Sequence, residues 1–507
     1  ICLSEQAYWQ VKGRLDLAVT DLGKTPLKNI AEPVHAYSVE VGKPAQPKPL
    51  KSTVAKRRSL RAPLAAALAA LVIVIAGGAW WILAANRPAS VVANAPAEAA
   101  RLSIVVLPFA NLSGDPSQDY LVDALTDELT TALARMRGAF VIARNTAMTF
   151  KGKPVDAKAI GKDLSVRYVL EGSVEPSGDK MRVNAQLIDA ESGAHLWAEQ
   201  FDTPRADLLQ TQDAIVTHLA HAMDLQLTEA EAARLKRTPV VNPDAEDLAL
   251  QCDAGTRKAG WIGKEADAAY ALCEQALAID PNNVRALMAL GAKFLVPASL
   301  GVSGDPKGDL ERADELASKA LALDPDYASA LSTKGIILQF QGRAQEAIVE
   351  HERALAVDPS NVFDAGMLAI AYQFLGEWDK SLEYLDKAIR ASPYDPGLAY
   401  WYGNKAEANF GLKNYDQAIN QARRAIAIKP NYNQVSHLLL VAPLALTDHD
   451  AEAREALQLY LALPSTGPLK TIAAWKAHQT SLGGDPRFVE MNERVYGGLR
   501  KAGMAEQ

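Results

Sequence analysis

The hydrophobic pattern changes period along the chain. Residues 103–109 (SIVVLPF) form a continuous apolar run, which predicts a buried strand. Residues 118–135 place apolar side chains at 121, 122, 125, 129 and 133, a helical period. A short strand follows at 141–142 and a helix at 157–164 (AKAIGKDL). Residues 168–174 (YVLEGSV) and 181–188 (MRVNAQLI) alternate around the turn EPSGDK, which predicts a hairpin. Another strand is expected at 195–201 and a helix at 214–226. The order β-α-β-α-β-β-β-α predicts an α/β domain over 101–227.

From 245 onward the pattern becomes a repeat. Prolines 281, 325, 359, 393, 430 and 464 are separated by 44, 34, 34, 37 and 34 residues. The first five close the phrases ALAIDP, ALALDP, ALAVDP, AIRASP and AIAIKP, each with an alanine five residues earlier, at 276, 320, 354, 388 and 425. A 34-residue period is the signature of tetratricopeptide repeats. Residues 362–395 carry it most fully, with Leu368, Tyr372, Gly376, Trp378, Leu385, Ala388 and Pro393 at the consensus offsets. The 44-residue step implies an insertion at about 295–308, expected as an interhelical loop. The repeats are expected over 245–464, with 465–507 as a cap. Stacked helix pairs expose a surface lined by the first helix of each pair. Tyr372, Tyr400, Tyr402, Asn404 and Asn433 are the candidate lining residues for an unknown protein or peptide ligand.

Residues 62–85 (APLAAALAALVIVIAGGAWWILAA) carry no charge. Roughly 20 apolar residues span a bilayer core, so one transmembrane helix is expected there. Lys51, Lys56, Arg57, Arg58 and Arg61 precede the stretch and only Arg87 closely follows it. Positive flanks stay inside, which predicts a single-pass protein of the inner (cytoplasmic) membrane, its N-terminus cytoplasmic and its later domains periplasmic. Residues 42–61 form a basic linker. Net charge follows the same division, +6 over 1–61 and −13 over the rest. The overall −7 argues against a nucleic-acid partner.

Residues 1–41 are too few to fold alone, so they are expected to be the end of a larger domain. Residues 22–30 predict a turn entering a strand and 33–39 a second strand, together a hairpin. The run ICLSEQAYWQV…LDLAVTDLGKTPLKNIAEPVHAYSVE resembles the C-terminal end of class III adenylate/guanylate cyclase catalytic domains, LKNIAEPVHAY being its sharpest part. That resemblance implies a parent enzyme converting ATP to cyclic AMP with two divalent metals, Mg or Mn, in a site formed between two catalytic domains, hence a homodimer. The metal-binding aspartates of that family lie upstream of the matching segment, so no catalytic residue and no cofactor is expected in this chain, which is expected to be inactive by itself. Lys28 is the one nucleotide-binding candidate, at the turn where such cyclases often place a lysine near the terminal phosphates.

The 103–202 block, with its VLPFAN, EGSV and LWAEQFD runs, resembles the TolB amino-terminal-like domain, from which no activity follows. Asp123, Asp127 and Glu128 cluster on one helix and read as an outward-facing charged face. His218 and His221 have a spacing two metal ligands could use, but no Asp, Glu or Cys motif accompanies them and no metal is expected. With three cysteines in 507 residues a disulfide scaffold is excluded. Cys252 and Cys273, level on neighbouring helices of the first repeat, are the candidate disulfide.

The expected fold class is therefore multidomain: a β-hairpin remnant of a cyclase domain, one transmembrane helix, an α/β TolB-like domain and an all-α tetratricopeptide solenoid. The expected function is the membrane and periplasmic part of a class III cyclase. A membrane-anchored transcription regulator and a non-enzymatic repeat scaffold are the alternatives.

Overall fold

The computed structural model describes residues 2–4, 18–25, 34–40, 102–136, 138–177, 180–222, 242–431, 434–463, 469–480 and 485–507. The chain divides into two units, 1–92 and 93–507.

In the first unit β1 (Cys2–Ser4), β2 (Ala18–Thr25) and β3 (Val34–Glu40) make an antiparallel sheet in the order β1-β3-β2. Strand β2 begins at Ala18, ahead of the 22–30 stretch where the sequence predicts a turn entering a strand. The β2–β3 register shifts between Asp21 and Lys24, at Leu22 and Gly23, as a bulge does when an extra residue enters one strand. Lys28 lies outside the described residues.

The expected fold class and location are corrected here. Among the described residues no helix is long and apolar enough to cross a membrane, and residues 62–85 lie outside them. The longest described helix, Pro306–Leu323, has 18 residues and carries charges along its length, which suits a solvated face and not a bilayer. The described fold is mainly a helical, tetratricopeptide-like solenoid joined to a small sheet domain.

That sheet has the order β6-β4-β7-β8-β9, built from β4 (Leu102–Val106), β6 (Ala139–Val141), β7 (Tyr168–Ser177), β8 (Lys180–Asp189) and β9 (His195–Pro204), with the short β5 (Ala110–Asn111) pairing β7. Strand β4 runs parallel to β6 and β7, whereas β7–β8 and β8–β9 are antiparallel. A strand in the parallel part is covered on both faces, hence its unbroken apolar run. Ile104 and Val106 pack toward α1 (Asp119–Ala134), while Val105 packs on the other face toward α2 (Ala157–Leu164). Helix α3 (Thr211–Ala222) shares the α1 side through Ile215, Val216 and Leu219.

Six helix pairs follow among the described residues. They are α4 (Pro243–Ala259) with α5 (Lys264–Ile279), α6 (Val284–Ser299) with α7 (Pro306–Leu323), α8 (Ala328–Phe340) with α9 (Ala344–Val357), α10 (Val362–Phe374) with α11 (Trp378–Ala391), α12 (Leu398–Gly411) with α13 (Tyr415–Ile428), and α14 (Gln434–Leu446) with α15 (Asp450–Ala462). Helices α16 (Ile472–Thr480) and α17 (Pro486–Ala502) complete the chain.

The repeated phrases have a local cause. The alanine five residues before each proline is fully buried, because the paired helices approach there. In the three Asp-Pro turns the aspartate side chain accepts the backbone N–H two residues on: Asp280 from Asn282, Asp324 from Asp326 and Asp358 from Ser360. Asn283 and Asn361 then cap α6 and α10.

The inserted residues of the second repeat differ from expectation. The sequence places them in a loop, but α6 runs on to Ser299 and α7 begins at Pro306. Asp305 accepts the N–H of Gly308, and Pro306 occupies the first turn, where a missing N–H costs nothing. The Pro297 carbonyl closes the end of α6 by accepting from Val302 and Ser303. Only 300–305 remain as the connection.

Candidate functional site

The residues nominated from sequence sit mostly in packing positions. Tyr372 is buried: its hydroxyl donates to Glu352 Oε1 at 3.0 Å and its ring stacks on Tyr384 at 5.8 Å. Burial, then the Glu352 carboxylate, pushes its phenol upward. Tyr400 lies against Trp401, ring centroids 5.3 Å apart. Tyr402 carries the Arg424 guanidinium over its ring at 5.7 Å. Asn404 is buried, donating to the Tyr400 carbonyl at 2.9 Å, while its own carbonyl accepts from Gln373 at 2.8 Å. The helix brings Tyr400 and Asn404 together by this i, i+4 bond. Asn433 lies outside the described residues. Cys252 and Cys273 are held as a disulfide between α4 and α5, Cα atoms 5.5 Å apart.

His218 Nδ1 stands 2.6 Å from Glu199 Oε2, and its ring lies edge-on to Phe201; the His221 side chain lies outside the described residues. Among the described residues no group of three or more His, Cys, Asp or Glu could hold a metal ion.

Two contact surfaces were not legible as sites. The first joins the α/β domain to the solenoid. The outward face of α1, which the sequence assigns to solvent, meets the repeats. Asp127 accepts from Arg144 and faces Arg257 of α4 at 3.7 Å; Arg257 is bound in turn to Asp253. Arg285 of α6 links Glu246 at 2.8 Å with Glu128 at 3.3 Å. Tyr120 donates to Asp247 of α4. Further on, Arg135 donates to the Val357 carbonyl at 2.6 Å and the Ala143 N–H to the Ala391 carbonyl at 2.8 Å. Thr146 meets Ser392 at 3.1 Å, Asn145 donates to Asp395 at 3.0 Å and Tyr394 to Asp163 at 2.7 Å. Burial pushes the Asp127 carboxyl up to about 6, against the pull of Arg144 and Arg257. Asp123, by contrast, pairs at the surface with Lys151 at 2.6 Å.

The second surface belongs to α17. The Asp485 N–H donates to the Phe374 carbonyl, Arg487 pairs with Glu377 at 2.9 Å, and Phe488 meets Phe374 edge-on at 5.3 Å. In mid-helix Arg494 donates to the Gly411 carbonyl at 2.9 Å. Near its end Gly498 crosses α14 so closely that a Cβ would stand 2.5 Å from the Ala442 carbonyl oxygen. Beneath the helix Glu407 borders a cavity of about 20 Å³ together with Leu438, Trp475, Asn492, Val495 and Tyr496. Burial pushes the Glu407 carboxyl up to about 7.

Open solenoid surface remains between these two. A groove of about 440 Å³ runs between the second and third repeats, lined by Asp314, Leu321, Lys334, Ile337, Arg343 and Val349 among others. Phe340 and Phe363, on the first helices of repeats three and four, are 38% and 48% exposed. An exposed aromatic on a repeat surface is a usable protein contact.

Fold and surface together define a tetratricopeptide solenoid carrying an α/β domain on the turns between its repeats. Residues 365–431 match the tetratricopeptide repeat family, and 100–228 match the second domain of HilA/YgeH-like transcriptional regulators. The chain is 30% identical over 348 residues to "Putative adenylate cyclase 3" of Rhizobium meliloti (strain 1021), covering 68% of this chain and 52% of that protein. It thus spans about half the length of this curated relative. Among solved structures it is similar to pilF of Pseudomonas aeruginosa, 22% identical with a TM-score of 0.36, over 46% of this chain and 97% of that one. It is also similar to YrrB, titled a TPR protein with an unusual peptide-binding site, 19% identical with a TM-score of 0.30, over 41% of this chain and 97% of that one.

Proposed function

We propose that this chain is the regulatory part of a bacterial class III adenylate cyclase, and that its solenoid docks a protein partner whose binding biases cyclic-AMP formation. The observation that carries this reading is the 30% identity to a protein named as an adenylate cyclase, in a chain whose first 41 residues read LKNIAEPVHAY at the expected family terminus. Its substrate is ATP, and its site forms in a homodimer. When bound, the two divalent metals would stabilise the charge developing as the ribose 3′-hydroxyl attacks the α-phosphate. The resemblance implies that their aspartate ligands lie upstream of the matching segment, so no catalytic step is assigned to a residue of this chain.

The test is cyclic-AMP production from ATP by the purified full-length gene product. Conversion supports the reading, and none, with the cyclase aspartates in place, rejects it.

A second reading has one observation in its favour, the match of 100–228 to a domain of transcriptional regulators. It requires a DNA-binding domain in the full-length product. Salt-sensitive, sequence-selective retardation of promoter DNA by that product, without cyclic-AMP formation, would select it.

A further inference from the structure

A cap on a helical solenoid has to cover only the exposed face of the last helix pair. Helix α17 reaches further. Its 17 residues extend about 25 Å at 1.5 Å per residue. They run from the Phe374–Glu377 turn of the fourth repeat, past Gly411 of the fifth, to Ala442 and Asp448 of the sixth. The helix thus packs along α14 and touches the C-terminal ends of α10 and α12. Its anchors, Phe488, Met491, Val495 and Leu499, recur every three or four residues and are buried, the spacing of an amphipathic helix laid in a groove.

The seat is imperfect at its centre. Glu407 has no cation or hydrogen-bond partner among the described residues, and it borders the cavity beneath Asn492 and Tyr496. Arg494 Nε is buried with no acceptor among the described residues. The ion pairs that hold the two ends, Arg487–Glu377 and Lys501–Asp448, are solvent-exposed, and such pairs contribute little. Its apolar anchors share a core with repeats five and six, but over a lone carboxyl and with weakly held ends, as in a docked segment.

We propose that residues 486–502 are an internal ligand of the groove across repeats four to six. The external ligand of that groove is an amphipathic helix that replaces them. It carries bulky apolar side chains at four positions spaced three, four and four apart, and a basic residue immediately before the first. This rests on the reading of the solenoid as a protein-docking module.

The probe is a fluorescent peptide of residues 485–507, titrated into the full chain. Gly498→Val places side-chain atoms against the Ala442 backbone and disfavours the internal helix while leaving every groove residue intact. Because an internal ligand lowers the competent fraction, the peptide should bind this variant at least about tenfold more tightly than wild type. Arg487→Glu, a surface change that opposes Glu377, should give a smaller gain of about two- to fivefold. In the unmodified chain, backbone amides of 486–502 should exchange with deuterium at least about tenfold faster than those of 434–446, as a locally opening segment does. Unchanged peptide affinity in both variants, or equal exchange of the two helices in wild type, overturns the proposal. Cyclic-AMP output plays no part in these readouts, so an inactive full-length product would reject the cyclase reading and leave this result standing.

Discussion

Arg285 Nη2 and Glu128 Oε1 stand 3.3 Å apart across the junction of the second repeat and the α/β domain, and the same guanidinium holds Glu246 at 2.8 Å. One partly buried cation thus serves two carboxylates on different domains. Arg285→Met fills the volume but leaves both acids without it. Removing one member of a buried ion pair costs about 3–5 kcal/mol, and partial exposure here puts the loss at about 2–4 kcal/mol. The urea midpoint of the variant should fall accordingly, and an unchanged midpoint would show that the junction does not depend on this residue.

Glu407 and Asp127 set a pH dependence with a defined sign. Burial raises Glu407 from 4.5 to about 7 and Asp127 from 3.8 to about 6. The folded chain therefore holds protons that the unfolded chain has released. Stability falls as pH rises from about 4 to about 7, and the penalty is complete above that. Glu407→Gln removes one contribution. The variant should be more stable than wild type by about 1–3 kcal/mol at pH 8 and indistinguishable from it near pH 4. Thermal melts at the two values check this, and a variant less stable at pH 8 contradicts it.

Gly366 of α10 has no room for a side chain, since a Cβ would stand 2.1 Å from the Trp401 ring. Two effects compete in Gly366→Ala. A helix gains about 0.5–1 kcal/mol from alanine in place of glycine. Overpacking a tight contact costs about 1–3 kcal/mol. The clash is with a rigid ring, so the cost wins, and a net loss of about 1–2 kcal/mol is expected in the melting curve.

The Cys252–Cys273 bond closes a sequence separation of 21 residues. We expect it in protein purified without reductant, as a peptide pair linked by one S–S bond in mass spectrometry. A loop of this size constrains the unfolded chain by about 3 kcal/mol, so reduction should lower the unfolding free energy by about that amount.

The order of the α/β domain and the period of the repeats were legible because each rests on local rules, alternation in strands and proline spacing in helix pairs. The seating of one domain on the other was not. Its contacts join Tyr120, Asp127, Glu128, Arg135 and Ala143 to Asp247, Arg257, Arg285, Val357 and Ala391, residues that share no spacing. Asp127 and Glu128 read as solvated charges because nothing in a helical period distinguishes water from a second polar surface. The reach of α17 was hidden for a similar reason: its apolar stripe marks a buried face but not what buries it. The insertion at 295–308 was misplaced because Pro297 signals a break, whereas α6 carries it inside and runs on to Ser299.

The α/β domain grips the inter-repeat turns at Arg285, Val357 and Ala391, in the second, third and fourth repeats. A bare solenoid is an elastic coil whose pitch yields to whatever binds it. Here three successive windings are splinted to one stiff block, so a load applied to them would turn that block as a whole, and compliance is left to the windings beyond it.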